Sequence, residues 1–227
     1  MIINDEKRFI WFQPWKVAST TTYNRLKNYD NGQLPQQHQY DPILKKNITK
    51  HIFYKDFLKL FKDKLTYTKV CFFRNPYDRF YAGYLQNIAD CDLKKHAHTE
   101  YGDIIKSKCF NSWVNFSYNS FIENKNFYST HSLTEYCYYE NKFVIDKVGY
   151  VENFENDFER ICDELNLKYE HKNANVKYKK ALKSADPFNM KDTDYRYLDK
   201  YDSKCIQVVN EIFSKDFEIL KYKKIDA

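Results

Sequence analysis

The sequence predicts an α/β domain in which a central parallel sheet is flanked by helices, and three observations carry this reading. The apolar run Phe9 to Phe12 passes through a short turn into a hydroxyl-rich helical start, and Thr68 to Phe73 passes through Arg74 into another helix. A third run near 143–151 precedes a helical stripe of Phe154, Phe158, Ile161 and Leu165. Strand followed by helix, repeated along the chain, is the pattern of parallel strands joined by crossovers.

Taken in order, Phe9 to Phe12 is continuously apolar, as a strand buried on both faces should be. Gln13 to Ala18 forms a turn, and the first helix runs from about Thr20 to Asn28. The segment Asp30 to His38 is polar and turn-rich, suited to closing over a substrate. Positions 53, 54, 57, 58, 60 and 61 keep helical spacing, with Thr49 as cap and His51 near the helix start. After the strand 68–73, Pro76 takes the first position of a helix reaching about Ile88. Residues 89–112 are mostly polar and read as irregular surface or a lid that would hold substrate choice. Asn153 caps the helix after the third strand, and its apolar stripe is core. A last helix spans about Ser203 to Phe213 through Ile206, Val209 and Ile212.

The first turn carries the chemistry. The leading amides of a helix have no internal partner and sit at its positive end, so an anion is held there by backbone N–H, by hydroxyls of Ser19, Thr20 and Thr21, and by Lys16. Ser and Thr are also ordinary helix caps, which is the competing reading of this segment. A second cation, Arg74, closes the next strand. In a parallel sheet such strand ends lie side by side, so Lys16 and Arg74 can grip two phosphates of one molecule.

The two segments Pro14-Trp15-Lys16-Val17-Ala18-Ser19-Thr20-Thr21 and Phe72-Phe73-Arg74-Asn75-Pro76-Tyr77-Asp78-Arg79-Phe80 resemble the cofactor motifs of sulfotransferases that use 3′-phosphoadenosine 5′-phosphosulfate (PAPS). The likeness is to the carbohydrate sulfotransferases of the chondroitin, HNK-1 and heparan 2-O types and to microbial or viral relatives, with a P-loop-like fold. It implies that Lys16, Val17, Ala18, Ser19, Thr20 and Thr21 hold the 5′-phosphosulfate and Arg74 the 3′-phosphate, with 3′,5′-adenosine bisphosphate as product. Lys50-His51-Ile52 is similar to the segment that supplies the family's catalytic base. Val144 to Phe154 and Phe213 to Tyr222 are similar to its later landmarks. Two departures stand out: Trp15 separates Pro14 from Lys16, and Ala82 stands where a phosphate-binding Ser is usual.

On this reading His51 takes the acceptor hydroxyl's proton and Lys16 neutralises the departing phosphate. A neutral imidazole is required, so rate should rise through an ionisation near pH 6–7. His131 and His38 are the competing histidines at the acceptor, and Glu152 is the candidate carboxylate. A surface histidine and a backbone-capping glutamate are the plainer alternatives. A nucleoside triphosphate kinase fits poorly, because the segment from Gln13 to Thr22 contains no glycine. A non-catalytic nucleotide or polyanion binder remains as the other class, favoured by Trp15 and Ala82.

With 227 residues, 43% hydrophobic and 30% charged, the chain suits a single domain with a sizeable core. No apolar run is long enough to cross a bilayer. No signal peptide is expected before the first core strand, so a cytoplasmic location is the expectation, with no membrane partner. The net charge of +6 is modest, but Lys168, Lys172, Lys177, Lys179, Lys180 and Lys183 crowd together with Tyr169 and Tyr178. That run reads as solvated surface or as a groove for an anionic polysaccharide. No nucleic-acid reading module is present. Six scattered cysteines suit reduced thiols, and Cys91, His96, His98 and Cys109 make only a weak metal pattern, so no metal is expected.

Overall fold

The computed structural model describes residues 1–36, 38–92, 102–125, 127–170 and 195–227. It falls into two compact units, Met1–Arg74 with Leu133–Ala174, and Asn75–Ser132 with Asn175–Ala227.

The first unit contains the central sheet. Its strands are β1 (Ile2–Asn4), β2 (Phe9–Phe12), β5 (Thr68–Phe73) and β8 (Lys147–Tyr150), in the order β1-β2-β5-β8. β2, β5 and β8 are parallel, with Phe12 opposite Cys71 and Phe73 opposite Tyr150. The sheet is therefore mixed: β1 is added antiparallel at the edge, with Ile3 opposite Ile10. Between β2 and β5 come α1 (Ser19–Leu26), a hairpin of β3 (Gln39–Asp41) and β4 (Lys46–Ile48), and α2 (Tyr54–Leu60). After the second unit's first segment the chain returns through α6 (Thr134–Cys137) and a short hairpin, β6 (Tyr138–Tyr139) and β7 (Lys142–Phe143). From β8 it runs into α7 (Phe154–Glu164).

Side chains alternate across a strand, so neighbouring residues serve opposite faces. Trp11 and Phe72 stack at 5.8 Å on one face, where Trp11 meets Phe158 and Phe72 meets Phe154 of α7. Phe12 points the other way, onto Tyr54 and Phe57 of α2. Both faces are covered, which is why β2 and β5 lack a polar alternation. Gly149 is fixed by this packing, since a Cβ there would sit 2.5 Å from the Phe72 ring. Arg25 of α1 is buried, makes two 2.7 Å bonds to Glu155 of α7 and lies over Phe154 and Phe158, tying these helices together.

The second unit is helical: α3 (Pro76–Asp92), α4 (Gly102–Lys106), α5 (Phe110–Ile122), α8 (Ser203–Ile212) and α9 (Ser214–Leu220). Its core joins Tyr77, Phe80 and Tyr84 of α3, Trp113 of α5, Val209 of α8 and Phe217 of α9.

Several boundaries differ from expectation. Thr49 does not cap α2; its hydroxyl accepts from the His51 amide at 3.1 Å, and the residue before α2 is Phe53, without a side-chain cap. Asn153 occupies the capping position of α7 but makes no side-chain cap bond. The strand expected over 143–151 is shorter: Lys142–Phe143 pair with β6 instead, and Asp146, just before β8, is joined to Lys69 of β5 through both its amide, at 2.9 Å, and its carboxylate, at 2.8 Å. The polar stretch 89–112 carries the end of α3, the whole of α4 and the start of α5, since Ile104 packs on the core cluster to which Phe110 belongs. His96, His98 and the lysines from Lys172 to Lys183 lie outside the described residues.

Candidate active site

The site is built on the carboxyl edge of the sheet in the first unit, where β2, β5 and β8 all end. Beyond β2 the chain turns through Trp15 and Lys16 and enters α1 at Ser19. This turn has no glycine, yet Lys16 (φ 64°) and Ala18 (φ 60°) both adopt the left-handed conformation, on either side of a residue with negative φ. Alternation of this kind turns successive amides toward one point and makes an anion-binding concavity. It costs about 1–2 kcal/mol at each non-glycine position.

The start of α1 is open to such a ligand. Its N-cap is Ala18, which has no side-chain oxygen, and the helix has no side-chain cap bond and no acidic residue in its first turn. Ser19 is buried and donates its hydroxyl to the Pro14 carbonyl, closing the loop on itself. Of the remaining predicted cradle residues, Val17 is buried, Thr20 exposed and Thr21 half-buried.

Arg74, at the end of β5, donates from Nη1 to the Lys16 carbonyl at 3.2 Å, so the two predicted cations come from touching segments. The residues that follow Arg74 serve the second unit. Asn75 accepts the Tyr77 amide at 3.0 Å and so caps α3 above Pro76. Arg79 is buried against Asp216 and donates to the His131 carbonyl at 2.7 Å, so this second motif arginine is structural.

His51 joins the first loop through Gln13. Its Nδ1 lies 2.5 Å from the Gln13 carbonyl oxygen. A carbonyl only accepts, so Nδ1 carries the proton and the lone pair resides on Nε2, the nitrogen that can take a proton. Burial pushes the imidazole down to about 3, opposed by the Gln13 bond and assisted by nearby positive charges including Lys50. The ring is thus neutral across the physiological range. Such a pKa would move the inflection expected near pH 6–7 downward, since enclosure and the nearby positive charges both disfavour imidazolium.

Gln13 was not singled out by the sequence. It is 1% exposed, its Nε2 donates to the Ser19 carbonyl at 3.1 Å, and its own carbonyl orients His51. A buried amide immediately after an otherwise apolar strand was the available signal. Lys50 was also missed; its ammonium lies 5.5 Å from the Tyr23 ring centre of α1, and burial lowers its pKa.

The other predicted residues are distributed unevenly. Glu152 is exposed in the 3-10 turn after β8, on the same sheet edge as Arg74. His38 is exposed and within electrostatic reach of His51. Ala82, half-buried in α3, and His131, packed on Tyr128 at 5.2 Å, belong to the second unit. Among the described residues no cluster of three or more His, Cys, Asp or Glu could hold a metal, and no helix is long and apolar enough to cross a membrane.

No curated protein and no solved structure gives a significant match. A family model described as the Sulfotransferase family matches residues 1–223, which takes in the glycine-free turn after β2, His51 and Arg74. With nearly its whole length matched, and with a mixed parallel sheet presenting these residues at one edge, the chain belongs to the sulfotransferase family.

Proposed function

We propose that this transferase takes its sulfuryl group from PAPS and delivers it to a hydroxyl of a carbohydrate, releasing 3′,5′-adenosine bisphosphate. The observation that carries the reading is the uncapped start of α1, reached through left-handed Lys16 and Ala18 and flanked by Arg74. Its donor set fits a molecule with two separate anionic ends: amides and Lys16 for one, a planar guanidinium for the other. PAPS, when bound, supplies the sulfuryl group and a phosphate leaving group. Lys16 and the first amides of α1 hold the 5′ end and offset charge there, and Arg74 holds the 3′-phosphate. His51 accepts the acceptor hydroxyl's proton at Nε2, while the Gln13 carbonyl fixes the ring through Nδ1. The family match runs through both units, which supports treating the chain as one sulfotransferase domain.

Thermal unfolding with 3′,5′-adenosine bisphosphate against ATP tests the donor class. Stabilisation by the bisphosphate and not by ATP is expected, about 2.7 kcal/mol at a concentration 100 times Kd. Equal or greater stabilisation by ATP would overturn it.

A further inference from the structure

Two exposed rings stand at the carboxyl edge of the sheet in the first unit, beside one of the predicted cations. Phe73, the last residue of β5, is buried and directly precedes Arg74. Its ring meets that of Phe143 at 6.2 Å and that of Tyr150 at 6.4 Å, yet Phe143 is 44% and Tyr150 40% exposed. Tyr150 is the ladder partner of Phe73, so both side chains project from one face of the sheet, and Phe143 reaches the same ring from the β6–β7 hairpin. An exposed apolar patch, unlike a single exposed ring, marks an interaction surface.

This is also the face on which the base stands. Phe12 is opposite Cys71, two residues before Phe73, so Phe12, Cys71, Phe73 and Tyr150 all project to the side covered by α2. His51 leads into α2 and is held at the end of β2 by the Gln13 carbonyl. The hairpin that carries Phe143 touches α2 as well, with Tyr139 on Tyr54 at 5.8 Å. By contrast α1, which starts at the predicted donor turn, packs with α7 over the other face. Only β5 lies between β2 and β8, so the strand end that holds His51 and the strand end that carries Tyr150 are two strand spacings apart, about 10 Å.

We propose that Phe143 and Tyr150 form a stacking platform for an oligosaccharide acceptor, holding a sugar ring other than the one whose hydroxyl faces His51. This rests on the sulfuryl-transfer reading above and specifies how its acceptor is gripped. The C–H face of a pyranose carries the partial positive charge that the negative face of an aromatic ring attracts. A separation of about 10 Å exceeds one pyranose, so only a chain of sugars engages base and platform together. A protein strand added to β8 does not account for the exposed rings, because the outward backbone of this edge is already used. The Tyr150 amide donates to Asp157 at 2.8 Å, and the Val148 carbonyl accepts from Arg160 at 2.7 Å.

Isothermal titration of the full chain with chitotetraose, with an unsulfated chondroitin tetrasaccharide and with a heparosan tetrasaccharide tests the proposal. At least one should bind, and Phe143→Ala and Tyr150→Ala should each weaken it about fivefold or more. Tyr150→Phe keeps the ring and should stay within about twofold of the parent. In transfer assays the loss should fall on KM for the tetrasaccharide with kcat little changed, because the platform is remote from the reacting hydroxyl. Each variant should keep its unfolding midpoint and bind 3′,5′-adenosine bisphosphate within about twofold of the parent. No binding of any tetrasaccharide, or indifference to both alanine variants, would overturn the platform. So would a loss of bisphosphate affinity equal to the loss for sugar, the result expected if a nucleobase stacked on these rings instead. Failure of the bisphosphate to bind the parent protein would overturn the donor reading, which the sugar titrations do not measure.

Discussion

Lys16 and Arg74 reach the same loop but should fail differently when removed. Lys16→Ala takes away the cation at the mouth of α1, so transfer should be abolished and bisphosphate affinity should fall by about one to two decades, the worth of a charge-assisted contact. Arg74→Ala should weaken 3′,5′-adenosine bisphosphate selectively and spare adenosine 5′-phosphate; calorimetry with both ligands reads this directly, and equal losses would refute the assignment. His51 makes a prediction about pH. With the imidazole held down to about 3, the profile of kcat/KM, which reports free enzyme, should show no histidine inflection between pH 5 and 8. A bound donor brings negative charge that favours imidazolium, so the inflection in kcat should lie at higher pH than that in kcat/KM. Coincident inflections would argue against His51 as the base.

The turn between β2 and α1 and the sheet each place a backbone demand on one residue. Ala18 sits at φ 60° in the loop, a conformation glycine adopts without steric cost. Ala18→Gly should therefore raise stability by about 0.5–1 kcal/mol in denaturant unfolding, and an unchanged or lower midpoint would contradict the strain. Gly149 in β8 makes the opposite case. An added methyl must displace a Phe72 ring already confined by Trp11 and Phe154, so Gly149→Ala should cost about 1–3 kcal/mol. A neutral result would show that the ring has room to move.

For the whole molecule, the enclosed neutral His51 couples folding to acidity. Its folded pKa lies below its unfolded value of 6.5, so the unfolded state binds the extra proton. The associated stability is present above about pH 6.5 and declines as pH falls toward 3. Between pH 7 and pH 5 the loss should be on the order of 1–2 kcal/mol. Asp5, Glu164 and Asp202, held low by Lys64, by Lys147 and by the Cys205 amide respectively, contribute in the same direction but at lower pH. Comparing the slope of stability against pH for the parent and for His51→Gln isolates the histidine; identical slopes would mean that the ring is protonated or solvated in the folded protein.

Local pattern was enough for what depends on local chemistry. The runs Phe9–Phe12 and Thr68–Phe73, Pro76 at the start of α3, the core stripe of α7 and the cation-bearing loop were all legible, because apolar periodicity and turn chemistry act over a few residues. Three-dimensional packing decided the rest. The antiparallel β1, the β3–β4 hairpin and the true partner of Thr49 arise from contacts between distant or weakly patterned segments, which propensity does not encode. The left-handed turns at Lys16 and Ala18 could not be inferred from residues that normally avoid them. The protonation of His51 likewise follows from its enclosure and from the carbonyl of a residue 38 positions away, and neither is a property of the residues beside it in the chain.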